Sequence, residues 1–354
     1  MDSRSRRRLG IAGALAGAGV GAAVGVRRVV VGRVRLRPDP DADEPFGRLR
    51  GREITVRADD GLPLHVEVDD HDDDLTVVFC HGYTLNLHAW HYQRRDLRGS
   101  VRMVFWDQRS HGRSGRSDPA RATIEQTGDD LYAVLRATVR RNRPVVLVGH
   151  SMGGMSIMAL ADRHPELFER QVAGVVLINT SCGDLAEMTL GLPLVLAKIV
   201  RPLAPRTLRG LGRRAELVER ARGLGSDLAF VVTRKMAFAD KHVSPTVVDF
   251  LEQMIRGTPI DVIAEFYPAL MAHDKVSCLG VLGNVPTLVF AAGADRLTPA
   301  EHARRIAEAL PDAELVEVED AGHVLPLEHP GVVTGGLRRL VERVRPRRAK
   351  ERTA

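Results

Sequence analysis

The chain has 354 residues, 44% of them hydrophobic, which is enough to bury a sizeable core and too many for a disordered chain. Its net charge of +6 sits at the ends: residues 1–37 carry +8, residues 343–354 carry +5, and the span between them sums to −7. An acidic body with only 4% aromatic residues argues against a folded nucleic-acid-binding surface, and three scattered cysteines (Cys80, Cys182, Cys278) argue against a disulfide framework or a zinc site.

In chain order, Arg4, Arg6, Arg7 and Arg8 precede an uncharged Gly- and Ala-rich stretch, 9–26, whose 18 residues lie near the lower limit for a membrane-crossing helix. Three readings of 1–37 stay open: a weakly held membrane anchor, a cleaved export signal, or a solvated tail. Basic residues flank an apolar run, which suits an anionic membrane surface, so both membrane-associated and cytoplasmic locations are consistent with this end. Residues 38–50 are rich in Pro and Asp and read as a linker, and 346–354 as a basic tail.

From Glu53 onward, strand-like and helix-like segments alternate. Ile54–Arg57 and Leu64–Val68 flank Asp59-Asp60-Gly61 and predict a hairpin. Short apolar runs at Leu75–Cys80, Val101–Trp106, Val145–Val148, Val172–Ile178, Pro286–Ala291 and Ala313–Val318 predict buried strands. Helical patterns fall between them at Leu87–Leu97, Ile124–Val139, Met155–Arg163, Pro299–Leu310 and Pro330–Val344. Residues 183–275 break the alternation and are helical in character, for example at Leu228–Phe238 and Val247–Ile255. The expected architecture is an α/β fold with a mostly parallel central sheet and helices on both faces. Its core is built from 51–182 and 276–345, and 183–275 form a helical cap over the carboxyl edge of the sheet, where ligands bind in such folds.

The chemistry is carried by three residues at strand ends. Gly149-His150-Ser151-Met152-Gly153 matches Gly-x-Ser-x-Gly and falls between a strand and a helix, as a nucleophile elbow requires. Gly149 and Gly153 let neighbouring chain approach without a Cβ. A serine needs a base, and His323 follows the strand Ala313–Val318. The base needs an acid, and Asp295 follows the strand Pro286–Ala291. Asp320 is too close to His323 in sequence to come from the preceding strand, and Asp274 falls in the cap. The backbone N–H groups of Met152 and Tyr83 are the expected oxyanion donors, with His81 and Gly82 supporting that loop. His88, His91 and His111 have no carboxylate or cysteine at ligand spacing, so neither metal nor cofactor is expected.

His81-Gly82, the loop Asp107-Gln108-Arg109-Ser110-His111-Gly112-Arg113-Ser114, the Gly-His-Ser-Met-Gly-Gly elbow, Gly293-Ala294-Asp295 and Gly322-His323 resemble the motifs of the α/β-hydrolase superfamily, in its order, over about residues 50–345. Ser110 departs from the pattern, standing where the family's loop usually has glycine. The elbow is similar to those of monoacylglycerol-lipase-like and lysophospholipase-like members. The resemblance implies a serine hydrolase, and for that reading the cap is expected to shape an apolar pocket that Met188, Leu190, Leu192, Met236, Phe238, Met254 and Phe266 could line. A serine at the elbow sets the chain apart from members that use aspartate there. The leading expectation is cleavage of a small-molecule carboxylic ester, with an apolar acyl chain suiting the pocket. The same residues would serve a cofactor-free perhydrolase (haloperoxidase) or a C–C bond hydrolase, and an inactive scaffold acting as a binding protein is the non-enzyme alternative. The oligomeric state is not readable from the sequence.

Overall fold

The computed structural model describes residues 37–185 and 226–346. The strands are β1 (Arg52–Arg57), β2 (Pro63–Asp69), β3 (Thr76–Cys80), β4 (Arg102–Trp106), β5 (Val145–His150), β6 (Val172–Ile178), β7 (Thr287–Ala292) and β8 (Glu314–Val318). They form one eight-stranded sheet in the order β1-β2-β4-β3-β5-β6-β7-β8. The pairs β1–β2 and β2–β4 are antiparallel, and the others are parallel.

The strand sequences explain this placement. β3, β4, β5 and β7 are buried along their whole length, as Val-rich strands covered on both faces must be. Alternate residues feed two separate cores. Val78, Trp106, Leu147, Leu177 and Val289 face one side, while Val77, Phe79, Phe105, Val148 and Phe290 face the other. Each such side chain contributes about 1.5–3 kcal/mol on burial. A one-residue slip of any inner strand would exchange its two sets.

The helices are α1 (His91–Leu97), α2 (Ile124–Thr138), α3 (Met152–Arg163), α4 (Pro165–Arg170), α5 (Ser226–Ala237), α6 (Pro245–Gly257), α7 (Ile260–Met271), α8 (Leu279–Leu282), α9 (Ala300–Ala309), α10 (Leu325–Glu328) and α11 (Pro330–Val344). Thr123 caps α2 by accepting from the Gln126 N–H at 3.1 Å, an interaction worth about 1 kcal/mol. The helix expected at Leu87–Leu97 begins as a 3₁₀ turn, Leu87–Trp90, before continuing as α1. α3 begins three residues earlier than its apolar pattern predicts, because Gly153-Gly154 are poor helix formers retained for packing rather than propensity. α7 carries Pro268 inside it, which hides it from a pattern reading.

α5, α6 and α7 belong to the inserted segment. Phe230, Val247, Val248 and Leu251 of α5 and α6 pack on Leu85, Ala89 and Tyr92 and on Val324 and Leu327 near the last sheet edge. Val262, Phe266 and Leu270 of α7 pack over Met152 and Met155. Of the residues expected to line a cap pocket, Phe238 and Met254 lie in the first cluster and Phe266 in the second. Met188, Leu190 and Leu192 lie outside the described residues, as do the apolar run 9–26 and most of the basic tail.

The stretch 38–50 differs from a bare linker, because it is docked as a strap across the seam between cap and core. Asp39 accepts from the Thr246 N–H at 3.2 Å and from its hydroxyl at 2.6 Å, and also from Ser244. It thus caps α6 from outside the helix. The Tyr92 hydroxyl donates to Asp41 at 2.7 Å, and Glu44 binds His91 at 2.8 Å and Arg95 at 2.6 Å. Phe46 stacks on Phe250 with centroids 4.6 Å apart. The acidic residues that suggest a linker by composition are the ones that make these bonds.

Candidate active site

Ser151 stands at the turn between β5 and α3 with φ 52° and ψ −120°, a backbone conformation costing a non-glycine residue about 1–3 kcal/mol. The neighbouring packing enforces it. A Cβ on Gly153 would lie 2.0 Å from the Cys80 carbonyl oxygen, and one on Gly149 would lie 2.6 Å from the backbone of Gly153. The Thr180 hydroxyl donates to the Ser151 carbonyl at 2.8 Å and holds the turn from the end of β6.

Three side chains from three strand ends meet here. The Ser151 hydroxyl lies 3.0 Å from Nε2 of His323, and Nδ1 of His323 lies 2.8 Å from Oδ2 of Asp295. The distances fix the ring's direction, with an N–H toward the carboxylate and a lone pair toward the serine. Asp295 Oδ1 accepts from the N–H groups of Leu297 (2.7 Å) and Thr298 (3.0 Å), and the Thr298 hydroxyl lies 2.8 Å from Oδ2. Burial pushes the Asp295 carboxyl up, but His323 and the Thr298 hydrogen bonds outweigh it and hold it below the usual carboxylate range.

The loop carrying His323 is fixed from outside. Its carbonyl accepts from Nε2 of His150 at 2.8 Å and from the Asn179 amide at 2.8 Å, and the same amide donates to the Gly322 carbonyl at 3.0 Å. Glu328 accepts from the N–H groups of Gly322 (2.5 Å), Ala239 (2.8 Å) and Asp240 (2.6 Å), so one carboxylate joins this loop to the cap. Burial and the nearby His323 push His150 down to about 3, which keeps its ring neutral.

Gly82 brings the end of β3 against the serine: a Cβ there would lie 3.3 Å from Ser151 Cβ and 2.9 Å from the His150 ring. Among the described residues, neither the Tyr83 nor the Met152 N–H donates to a backbone acceptor. The Tyr83 hydroxyl donates to the Ile263 carbonyl of α7. His81 is buried, and burial pushes it down to about 3. Its Nδ1 donates to the Gly82 carbonyl at 2.8 Å, and its Nε2 accepts from the Gln108 N–H at 3.0 Å. His81 therefore braces this loop instead of facing Ser151.

The loop after β4 is equally rigid. Asp107 accepts from the N–H groups of Leu87 and Arg113, each at 2.8 Å, and Arg109 makes a buried two-pronged ion pair with Asp130 at 2.6 and 2.7 Å. Ser110, the departure from the family pattern, has φ 64°, which explains why glycine is usual there. Its hydroxyl accepts from the Ser117 N–H at 2.9 Å. Glu53, His65 and Glu67 on β1 and β2 come close enough to hold a cation. Arg113 and Arg94 already pair with the two glutamates there, at 2.6 and 2.7 Å.

Asn179, Thr298, Glu328 and the role of His150 were not anticipated from the sequence. Asn179-Thr180 directly after the run Val172–Ile178, and Thr298 three positions after Asp295, were the available signals. Both are polar residues at the carboxyl edge of the sheet, and Thr298 follows directly on the Asx turn that Asp295 closes onto the Leu297 N–H.

With this geometry in place, comparison with known proteins gives a consistent answer. A family described as the alpha/beta hydrolase fold matches residues 76–330. The chain belongs to that family. It is 27% identical over 261 residues to the RutD protein of Agrobacterium fabrum, a proposed carbamate hydrolase, with 72% of this chain and 88% of that one covered. It is 24% identical over 277 residues to 3-oxoadipate enol-lactonase 1 of Acinetobacter baylyi, covering 78% of this chain and 92% of that one. Among solved structures, a thermophilic esterase from Thermogutta terrifontis aligns with a TM-score of 0.66 at 24% identity, covering 84% of this chain and all of that one.

Proposed function

We propose that this protein is a serine hydrolase that cleaves a small-molecule carboxylic ester through an acyl-enzyme intermediate. The observation that carries this reading is the continuous chain Ser151–His323–Asp295, with contacts of 3.0 and 2.8 Å, at a strained elbow. Ser151 Oγ attacks the carbonyl while His323 Nε2 takes its proton. Asp295 holds the ring in the tautomer that leaves Nε2 free and stabilises the imidazolium. The amides of Tyr83 and Met152 face the developing oxyanion, and the start of α3 adds a favourable dipole. His323 then protonates the leaving alcohol, and water attacks the acyl-enzyme by the same route in reverse. Relatives named as a lactonase and a proposed carbamate hydrolase support acyl chemistry. Met152, the residue after the serine, packs in an apolar cluster with Met155, Val262 and Phe266, which suits an apolar acyl group.

The same residues are competent for peracid formation or C–C cleavage, so the assay panel includes both. Among the described residues no helix is long and apolar enough to cross a membrane. The basic flanks of 9–26 favour weak association with an anionic membrane surface, which flotation with anionic vesicles tests.

The deciding experiment is labelling with a fluorophosphonate, wild type against Ser151→Ala, followed by a p-nitrophenyl ester chain-length series. Labelling is expected only in the wild type, with ester turnover lost by about 10⁴-fold or more in the variant. Folded wild type that takes up no probe would remove the proposal and favour a binding scaffold.

A further inference from the structure

The Leu85 N–H donates to the Gly82 carbonyl at 3.2 Å and closes a turn whose central residues are Tyr83 and Thr84. Thr84 has φ 63°, the left-handed region that such a turn usually gives to glycine at its second central position. A threonine does not favour that conformation by itself, so the shape of the turn depends on what holds it from outside. Both central residues are tied to the cap. The Tyr83 hydroxyl donates to the Ile263 carbonyl near the start of α7. The hydroxyl of Thr258, a buried residue between α6 and α7, donates to the Thr84 carbonyl at 3.1 Å. Burial pushes the Tyr83 phenol up, so it keeps its proton to donate. Val262 and Phe266 of α7 share an apolar cluster with Met152 and Tyr83. One stretch of the cap, residues 258–266, thus reaches both residues whose amides are the proposed oxyanion donors. The turn itself stands at the nucleophile, since a Cβ on Gly82 would lie 3.3 Å from Ser151 Cβ.

We propose that Tyr83, through its phenol, and Thr258, through its hydroxyl, are positioning residues that hold the Tyr83 amide in the oxyanion hole, which makes the cap part of the acyl-transfer machinery. The inference rests on the serine hydrolase reading and deepens it. An oxyanion donor is effective when it is aimed before charge develops, because a site that must reorganise during the reaction loses the benefit. Neither hydroxyl acts on the base: the His323 loop and Asp295 are held by Asn179, Glu328 and Thr298. Loss of either tie therefore leaves the base in place and lets the turn relax from its left-handed residue, which turns the amide off the reacting oxygen. The penalty falls on the transition state, where that oxygen is an anion, and spares the bound ester, whose carbonyl gains little from the donor.

The test compares wild type with Tyr83→Phe, Thr258→Val and Thr258→Ser on p-nitrophenyl butyrate, and measures inhibition by an alkyl trifluoromethyl ketone. Ser151 Oγ adds to the carbonyl carbon of that ketone, its proton passes to His323, and the carbonyl oxygen is left as a bound oxyanion. Tyr83→Phe and Thr258→Val are expected to lower kcat about 10- to 100-fold with KM within about twofold. The ketone is expected to weaken by the same factor as kcat/KM falls. The acid limb of the kcat profile against pH, which reports His323, is expected to stay where it is. Thr258→Ser, which keeps the hydroxyl, is expected to recover most of the loss. Unchanged kcat in both variants would overturn the inference, as would a change confined to KM, a fall in kcat with the ketone unaffected, or an acid limb that moves. If Thr258→Val fails to fold, Tyr83→Phe decides, because it removes a single oxygen. Fluorophosphonate labelling of wild type separates the two readings: labelling with unchanged variants removes only the positioning roles, whereas absence of labelling and turnover removes the hydrolase and this inference together.

Discussion

Ser151 is held by close backbone packing around Gly149 and Gly153, with the Thr180 hydroxyl on its carbonyl, whereas the His323 loop is held by side chains from as far as 173 positions away. The serine turn is defined by Gly149 and Gly153, whose lack of Cβ lets β5, α3 and the end of β3 close on one another. The histidine loop is defined by side chains from elsewhere: His150, Asn179, Thr298 through Asp295, and Glu328. The first is a backbone device and the second a side-chain network. A backbone device tolerates nothing larger at its contact points. A network loses its members one at a time, and each loss loosens the geometry without abolishing the fold.

The sharpest way to break this contrast is Gly153→Ala. Its methyl would meet the Cys80 carbonyl at 2.0 Å, with backbone on both sides and no flexible atom to yield. The expected result is a fall in melting temperature of about 10 °C or more, or no folded protein at all. A variant that melts with the wild type would show that the elbow is softer than described.

Asn179→Ala tests the other side. It removes both amide bonds to the Gly322 and His323 carbonyls while leaving Ser151 untouched. The expected effect is a drop in kcat of about 10- to 100-fold with KM changed little, since a small misplacement of His323, the proposed base, is costly. Unchanged kcat would mean that His150 and Glu328 suffice. An effect on KM alone would move Asn179 to substrate binding.

A smaller effect, spread over both regions, appears with pH. Burial holds His81 and His150 down at about 3, and His88, His111 and His273 at about 4. Their unfolded values lie near about 6.5, so the native state excludes protons that the unfolded chain accepts. Their contribution is complete above about 6.5 and is lost as pH falls toward these lower values. Asp107 and Asp130, raised to about 6 by burial, act in the opposite sense. With five groups against two, the melting temperature is expected to fall between pH 6.5 and 4.5, with net proton uptake on unfolding measured by calorimetry in buffers of different ionisation enthalpy. A flat profile over that range would contradict the buried, neutral histidines.

The smallest expected effect is at Cys80, beside the elbow. Burial pushes its thiol up to about 12, and the sulfur takes a hydrogen bond from Trp106 at 3.4 Å. Native protein at pH 8 is expected to leave it unmodified by iodoacetamide, with modification only after denaturation, as read by mass spectrometry. Rapid native labelling would show that the end of β3 opens.

The same contrast explains what the sequence made legible. The buried strands depend on local pattern, and the structure places them where that pattern points; Ser151, Asp295 and His323 also carry local signatures, and their side chains lie within hydrogen-bonding distance of one another. Boundaries shifted where packing overrode propensity, as at the start of α3. Asn179 and Glu328 carry no local signature, because their partners are backbone atoms brought close only by the sheet order and the cap. The docking of 38–50 has no local signature for a related reason: Asp39 caps a helix whose first residue lies over 200 positions away.

That strap also sets how the molecule bears force. Beginning at the N-terminal end, Arg37 binds the Lys241 carbonyl, Asp39 binds Ser244 and Thr246, and only then do Asp41 and Glu44 reach α1. Tension applied through residues 1–36 would arrive at the cap first and break these bonds in sequence, like a zip, before loading the sheet. Whatever is fused or fixed to that end is in mechanical terms a handle on the cap, and the choice of terminus for an immobilised form of the protein should follow from it.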